Sequence, residues 1–150
     1  MSSTKIARVG VGVFIFKDSK FIMGKRKGSH GSDTWSIPGG HLEYGETFED
    51  TAKREAIEET DLTVTNVRFA AVTNDYFPKE DKHYITIWVI CDYKSGVAKL
   101  TEPDKFIEQS WQDFNSLPEP LFLPWHNLLK SEFMDNIKKE LAKGKKSYTG

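Results

Sequence analysis

A chain of 150 residues, 38% of them hydrophobic, is long enough to bury a core, and one domain over residues 1–150 is the expectation. Its formal net charge of −1 leaves no electrostatic footprint for stable nucleic-acid binding and fits a small anionic partner held at a local site. The single cysteine, Cys91, excludes an internal disulfide and a cysteine-cluster zinc site; in its apolar run it reads as a buried thiol rather than a nucleophile. No apolar run reaches the roughly 18 residues of a membrane span. Met1 to Lys5 lack the apolar region of a signal peptide. A cytoplasmic, reducing setting is therefore expected.

Residues 8–16 (RVGVGVFIF) are rich in valine and phenylalanine and predict a buried strand. A polar turn at 17–20 and a second strand at 21–24 complete a hairpin. Residues 25–33 (KRKGSHGSD) form a basic, glycine-containing loop, followed by a short strand at 35–37 that Pro38-Gly39-Gly40 stops. The clearest helix spans 47–59. Thr47 is its N-cap, Asp50 stands in for the capping-box glutamate, and Phe48, Ala52, Ala56 and Ile57 supply its apolar side. Strands follow at 64–77 and 84–93, joined by a charged turn, with shorter strands at 97–100 and 110–114. From 125 to 143, Leu128, Leu129, Phe133, Ile137 and Leu141 recur at helical spacing, and a polar, frayed tail begins at Gly144. Strands and helices are mixed, hairpin connections outnumber crossovers, and there is no repeat or linker. The fold class is α/β, a mixed sheet sandwiched between helices.

The chemistry lies in residues 40–62, GHLEYGETFEDTAKREAIEETDL. At ~100° per residue, Glu55, Glu58 and Glu59 share one face of the predicted helix. Like charges at this spacing cost ~0.2–0.5 kcal/mol per pair, and the helix C-terminus disfavours anions. Accepting both penalties points to a cation, and oxygen-only ligands favour Mg²⁺ or Mn²⁺ over zinc. The alternative is a solvated acidic face with Lys53 and Arg54 as partners. Among the basic residues before Trp35, Arg26 is the candidate for a phosphate oxygen, against a solvated loop. His30 and His41 are further candidates, and for His41 a structural hydrogen bond is the alternative. The GxxxxGK[ST] phosphate loop is absent.

The spacing Gly-x5-Glu-x7-Arg-Glu-U-x-Glu-Glu-x-Gly-U, with U a bulky aliphatic, is met by Gly40, Glu46, Arg54, Glu55, Glu58, Glu59 and Leu62. The segment thus resembles the Nudix box. Two positions depart: Ala56 takes the first aliphatic place, and Asp61 takes that of a glycine suited to a left-handed residue after the helix. The resemblance implies a Mg²⁺-dependent hydrolase (Mn²⁺ substituting) acting on phosphoanhydride bonds. Glu55, Glu59, Glu58 and the Gly39 carbonyl would hold the metal. Arg54 and Glu46 would hold those ligands in place, their alternative being an exposed ion pair worth ~0–1 kcal/mol.

Flanking blocks, among them Val9-Gly10-Val11-Gly12-Val13, Pro38-Gly39-Gly40-His41-Leu42-Glu43-Tyr44-Gly45-Glu46 and Glu102-Pro103-Asp104-Lys105, are similar to the MutT-like nucleoside triphosphate diphosphatase branch, the Nudix-fifteen type. That branch implies cleavage of a nucleoside triphosphate, standard or oxidised, to monophosphate and pyrophosphate, in a homodimer. It draws the base pocket from Ser36, Thr86 and the loop near Phe122. Similar proteins carry a larger polar residue at Ser36 and tryptophan at Leu123, and their segment matching 102–111 is shorter. Trp35, Trp88, Trp111 and Trp125 read as core rather than as base platforms. Competing readings are an ADP-ribose or nucleotide-sugar pyrophosphatase, a non-catalytic nucleotide-binding regulator and an RNA-processing hydrolase. The intact carboxylate set argues against the regulator, and the lack of a basic surface against the RNA enzyme.

Overall fold

The computed structural model describes residues 5–28 and 30–146. Strands β1 (Arg8–Lys17) and β2 (Lys20–Arg26) form the expected hairpin. Asp18 and Ser19 at its tip have φ of 53° and 62°, the paired left-handed conformation of a type I′ turn. Then come β3 (Trp35–Ser36), β4 (Gly39–His41), helix α1 (Phe48–Thr60), β5 (Thr63–Phe77), β6 (Lys82–Ser95), β7 (Phe106–Gln112), α2 (Leu123–Leu129) and α3 (Met134–Lys146). The sheet runs β3-β2-β1-β6-β5, with β4 alongside β1 and β7 alongside β2. The β1–β6 pair is parallel and the other pairs are antiparallel.

Two-residue alternation along β1 builds a layer on each face of the sheet. Val11, Val13 and Ile15 pack with Ala52 and Ala56 of α1. Phe14 and Phe16 pack with Trp125 and Leu128 of α2 and with Ile137 and Leu141 of α3. Val13, Phe14 and Ile15 are fully buried, and each such apolar side chain contributes about 1.5–3 kcal/mol. The α/β sandwich with helices on both faces is therefore as expected. Near the turn β1 and β2 pair at Phe16–Phe21 and Lys17–Lys20. Farther along, β1 pairs with β4, while β2 takes β3 and β7. This splay seats the Gly39-Gly40 strand beside β1.

The ends of α1 follow their local chemistry. The Asp50 amide donates to Thr47 Oγ1 and the Thr47 amide to Asp50 Oδ2, each at 3.0 Å. At the other end Asp61 adopts φ 61°, and its amide donates to the Ile57 carbonyl at 3.0 Å. The apolar side is corrected: Phe48 and Ile57 are 41% and 47% exposed. The buried arc is instead Thr51, Ala52, Glu55, Ala56, Glu59 and Thr60. Small residues there let the helix lie close to the sheet and bring two acids inward.

Three further expectations change. Residues 97–100 are not a strand; the Lys99 amide caps the Thr60 carbonyl at 3.0 Å as the chain crosses the end of α1. The strand expected at 110–114 starts earlier, at Phe106, and ends at Gln112. The single C-terminal helix is two, because Ser131 Oγ binds the Leu128 carbonyl at 2.7 Å and interrupts the ladder. The second of these, α3, continues through Gly144 to Lys146. The rest of the expected tail, 147–150, and Ser29 of the basic loop lie outside the described residues.

Candidate active site

Glu55 and Glu59 are 7% and 3% exposed. They meet at the strand β4, where the Gly39 amide donates to Glu59 Oε2 at 2.9 Å. Glycine is required at 39, where a Cβ would stand 2.3 Å from the Val11 carbonyl oxygen, and a Cβ on Gly40, 2.5 Å from Glu55 Oε1, would displace that carboxylate. Burial first, and then the adjacent Glu55, pushes the Glu59 carboxyl well above the usual range. Two buried carboxyls in contact are relieved by a cation, and an all-oxygen donor set suits a hard divalent one. The residues present thus fit a magnesium-type ion. Glu58 does not join the pair: its side chain is 46% exposed and sits 3.4 Å from Arg54 Nη1. Among the described residues no three His, Cys, Asp or Glu side chains converge on one point.

Arg54 organises the acids. Its Nε and Nη2 donate to the two oxygens of Glu46, both at 2.8 Å, a fork-to-fork pair. Its Nη1 reaches Glu55 Oε1 at 2.6 Å, and Nη2 also donates to the His41 carbonyl at 3.1 Å. Glu46 Oε1 further accepts from the Glu43 amide and Thr51 Oγ1, each at 2.9 Å. The Arg54 guanidinium, seconded by the Glu43 amide, lowers the Glu46 carboxyl from 4.5 to about 2. A depressed carboxylate stabilises the fold above its unfolded value and loses that contribution as pH falls through its folded one. Acid melts from pH 5 to 2 are therefore expected to fall more steeply in the wild type than in Glu46→Gln. Parallel curves would show that this carboxylate carries no such contribution.

Glu102, which sequence reasoning placed only in a similarity block, adds a third acid near Glu59. Its Oε1 is buried without a hydrogen-bond partner, Lys105 lies 3.2 Å from its Oε2, and its charge raises the Glu59 carboxyl. The acid-proline block between strands was the available signal.

On the α2 face a cleft of about 180 Å³ gathers Arg26, Ser36, His41, Thr86 and Phe122, and Gly39 and Gly40 form part of its wall. The same two glycines therefore border the cleft and touch the carboxylates. His30, Phe77 and Phe122 form an aromatic group, with His30 centred 4.5 Å from Phe77 and Phe77 5.4 Å from Phe122. The Arg26 guanidinium lies 3.9 Å above the Phe122 ring and donates to the His30 carbonyl at 3.1 Å. Burial lowers the pKa values of Arg26 and His30. His41 Nε2 and Tyr84 Oη are 3.0 Å apart. Phe77 and Tyr84 were not singled out from sequence, since nothing local distinguishes a lining aromatic from a core one. Trp35, Trp88 and Trp125 are buried as expected, although all three are not equivalent: Trp88 and Trp125 also border the cleft. Trp111 is partly buried, 5.7 Å beneath Lys17.

A mixed sheet that sets an acidic, arginine-clamped helix against a glycine strand defines the class of this protein. The NUDIX domain pattern matches residues 7–135, and the chain belongs to that family. It is similar to the solved MutT NUDIX hydrolase from Burkholderia pseudomallei, with a TM-score of 0.74 and 26% identity over 78% of this chain and 91% of that one. It is 33% identical over 114 residues to an ADP-ribose pyrophosphatase of Methanocaldococcus jannaschii, covering 76% of this chain and 66% of that protein. It is 26% identical over 124 residues to the NAD-capped RNA hydrolase NudC of Photorhabdus laumondii, covering 83% of this chain. The chain spans 45% of that NudC relative's length. Among the described residues no helix is long and apolar enough to cross a membrane.

Proposed function

We propose that this protein is a Mg²⁺-dependent Nudix pyrophosphohydrolase that cleaves a nucleoside triphosphate to the monophosphate and pyrophosphate. The observation that carries this is the shared wall: Gly39 and Gly40 border an aromatic cleft and contact the buried Glu55–Glu59 pair. A ligand seated in the cleft presents its phosphates to the carboxylates. The cleft, at about 180 Å³, is smaller than the roughly 300–1,000 Å³ that encloses a drug-sized ligand. It suits one base and leaves the phosphates at its rim.

Glu55 and Glu59, with the Gly39 carbonyl, would hold the ion, and Glu58, exposed beside Arg54, would reach it through water; when bound, the ion neutralises phosphate oxygens and lowers the pKa of water. Arg54 and Glu46 position these acids. A carboxylate of the set takes the proton of the attacking water, and the P–O bond of the anhydride breaks to release pyrophosphate. Arg26 meets a phosphate oxygen from the cleft side, and His30, Phe77 and Phe122 take the base. No side chain of the chain forms a covalent bond to phosphorus in this scheme.

An ADP-ribose or nucleotide-sugar pyrophosphatase is the second reading, favoured by the archaeal relative of that name. A panel of NTPs, dNTPs, oxidised dNTPs, ADP-ribose and sugar nucleotides with Mg²⁺, read by product identity, separates the two. Pyrophosphate from a triphosphate supports the first reading. Turnover confined to ADP-ribose or a sugar nucleotide replaces it with the second. A homodimer in the cytoplasm, without stable nucleic-acid binding, completes the proposal. Sedimentation at micromolar concentration tests the dimer.

A further inference from the structure

Beneath the cleft lies a buried polar chain that the hydrolytic scheme does not use. Asp75 on β5 is 0% exposed. Its Oδ2 accepts from Thr86 Oγ1 at 2.6 Å and from Thr73 Oγ1 at 2.9 Å. Its Oδ1 accepts from Asn127 Nδ2 on α2 at 2.8 Å. The Trp88 indole donates to Thr73 Oγ1 at 2.9 Å. Of these residues Thr86 and Trp88 border the cleft.

A threonine hydroxyl has one hydrogen, and Thr86 donates it to Asp75 Oδ2 at 2.6 Å. Thr86 therefore spends its hydrogen inward, and toward the cleft its oxygen offers lone pairs alone. A carbonyl brought against it would meet acceptor with acceptor, whereas an amino group would donate.

Resting on the assignment of this cleft to the base, we infer that Asp75 sets the polarity of the base pocket, so that Thr86 binds an exocyclic amino group of the nucleobase. Thr86 is the contacting residue and Asp75 a positioning residue behind it. Asn127 fixes which way an amide would sit at position 75. In Asp75→Asn the amide oxygen keeps the Asn127 bond, the NH₂ faces Thr86, and the threonine hydrogen turns toward the cleft.

Titrations of nucleoside monophosphates test this with pairs that differ by one amino group: GMP against IMP, and AMP against purine riboside 5′-monophosphate. The wild type is expected to prefer the amino-bearing member of at least one pair by roughly five- to tenfold. Thr86→Val, which keeps the shape, should abolish the preference, and Asp75→Asn should abolish or invert it. Should Asp75→Asn fail to fold, the wild type and Thr86→Val still decide. Nucleotides that bind without discrimination in either pair, or a preference that survives Thr86→Val, overturn the inference and leave the hydrolase reading standing. No nucleotide binding together with no triphosphate hydrolysis removes the base assignment, and this inference with it.

Discussion

Glu59→Gln is expected to fold, to melt without metal at a temperature at least equal to the wild type, and to turn over at least ~100-fold more slowly. That factor is a barrier increase of ~2.7 kcal/mol. Glu59 is 3% exposed and lies against Glu55, and burial with that neighbour already disfavours its charged form, so a neutral amide of the same shape is tolerated there. The amide oxygen still accepts from the Gly39 amide, which now bonds Glu59 Oε2 at 2.9 Å. Packing and this bond survive while the negative charge that would hold a divalent ion is lost. The wild type should correspondingly be inactive in EDTA and recover with Mg²⁺ or Mn²⁺. A metal-free thermal melt and a pyrophosphate-release assay with saturating Mg²⁺ check both halves. Near-normal turnover would remove Glu59 from the centre of the mechanism, and a marked loss of stability would make this face structural.

Arg54→Lys should lower activity or metal affinity by ~10–100-fold, although the charge is kept. The guanidinium serves Glu46 through two nitrogens, both at 2.8 Å, Glu55 through a third at 2.6 Å, and the His41 carbonyl at 3.1 Å. A lysine has one nitrogen and no planar fork, so it cannot hold Glu46 in two-point contact and steady Glu55 at once. The loss should appear partly as a raised Mg²⁺ requirement, because Glu55 is the acid left unsupported. Circular dichroism should show the fold intact, since the charge is kept and Arg54 lies outside the buried arc by which α1 packs on the sheet. Wild-type kinetics at every Mg²⁺ concentration would return Arg54 to an ordinary surface ion pair, worth ~0–1 kcal/mol.

Both substitutions fall within the segment that the sequence alone made legible. Helical pitch is a local property, so the spacing of Glu55, Glu58 and Glu59 already predicted a common face, and the Thr47–Asp50 pair predicted where α1 starts. The valine- and phenylalanine-rich run at 8–16 likewise predicted a buried strand. Pitch did not determine how close the helix comes to its neighbours. Tertiary packing buries Glu55 and Glu59 and leaves Phe48 and Ile57 exposed, while Glu58 stays with Arg54 one helical turn away. Long-range register decides the cleft: the β5–β6 pairing sets Asp75 opposite Tyr84, and the chain brings His30, Phe77 and Phe122 into contact. The sequence by itself determined the acidic helix and the strand pattern, because a few residues of covalent spacing encode them. The Asn127 partner of Asp75, the buried oxygen of Glu102 and the aromatic walls were decided only by tertiary structure, because Asp75 and Asn127, like His30, Phe77 and Phe122, are tens of positions apart and meet only once the sheet has closed.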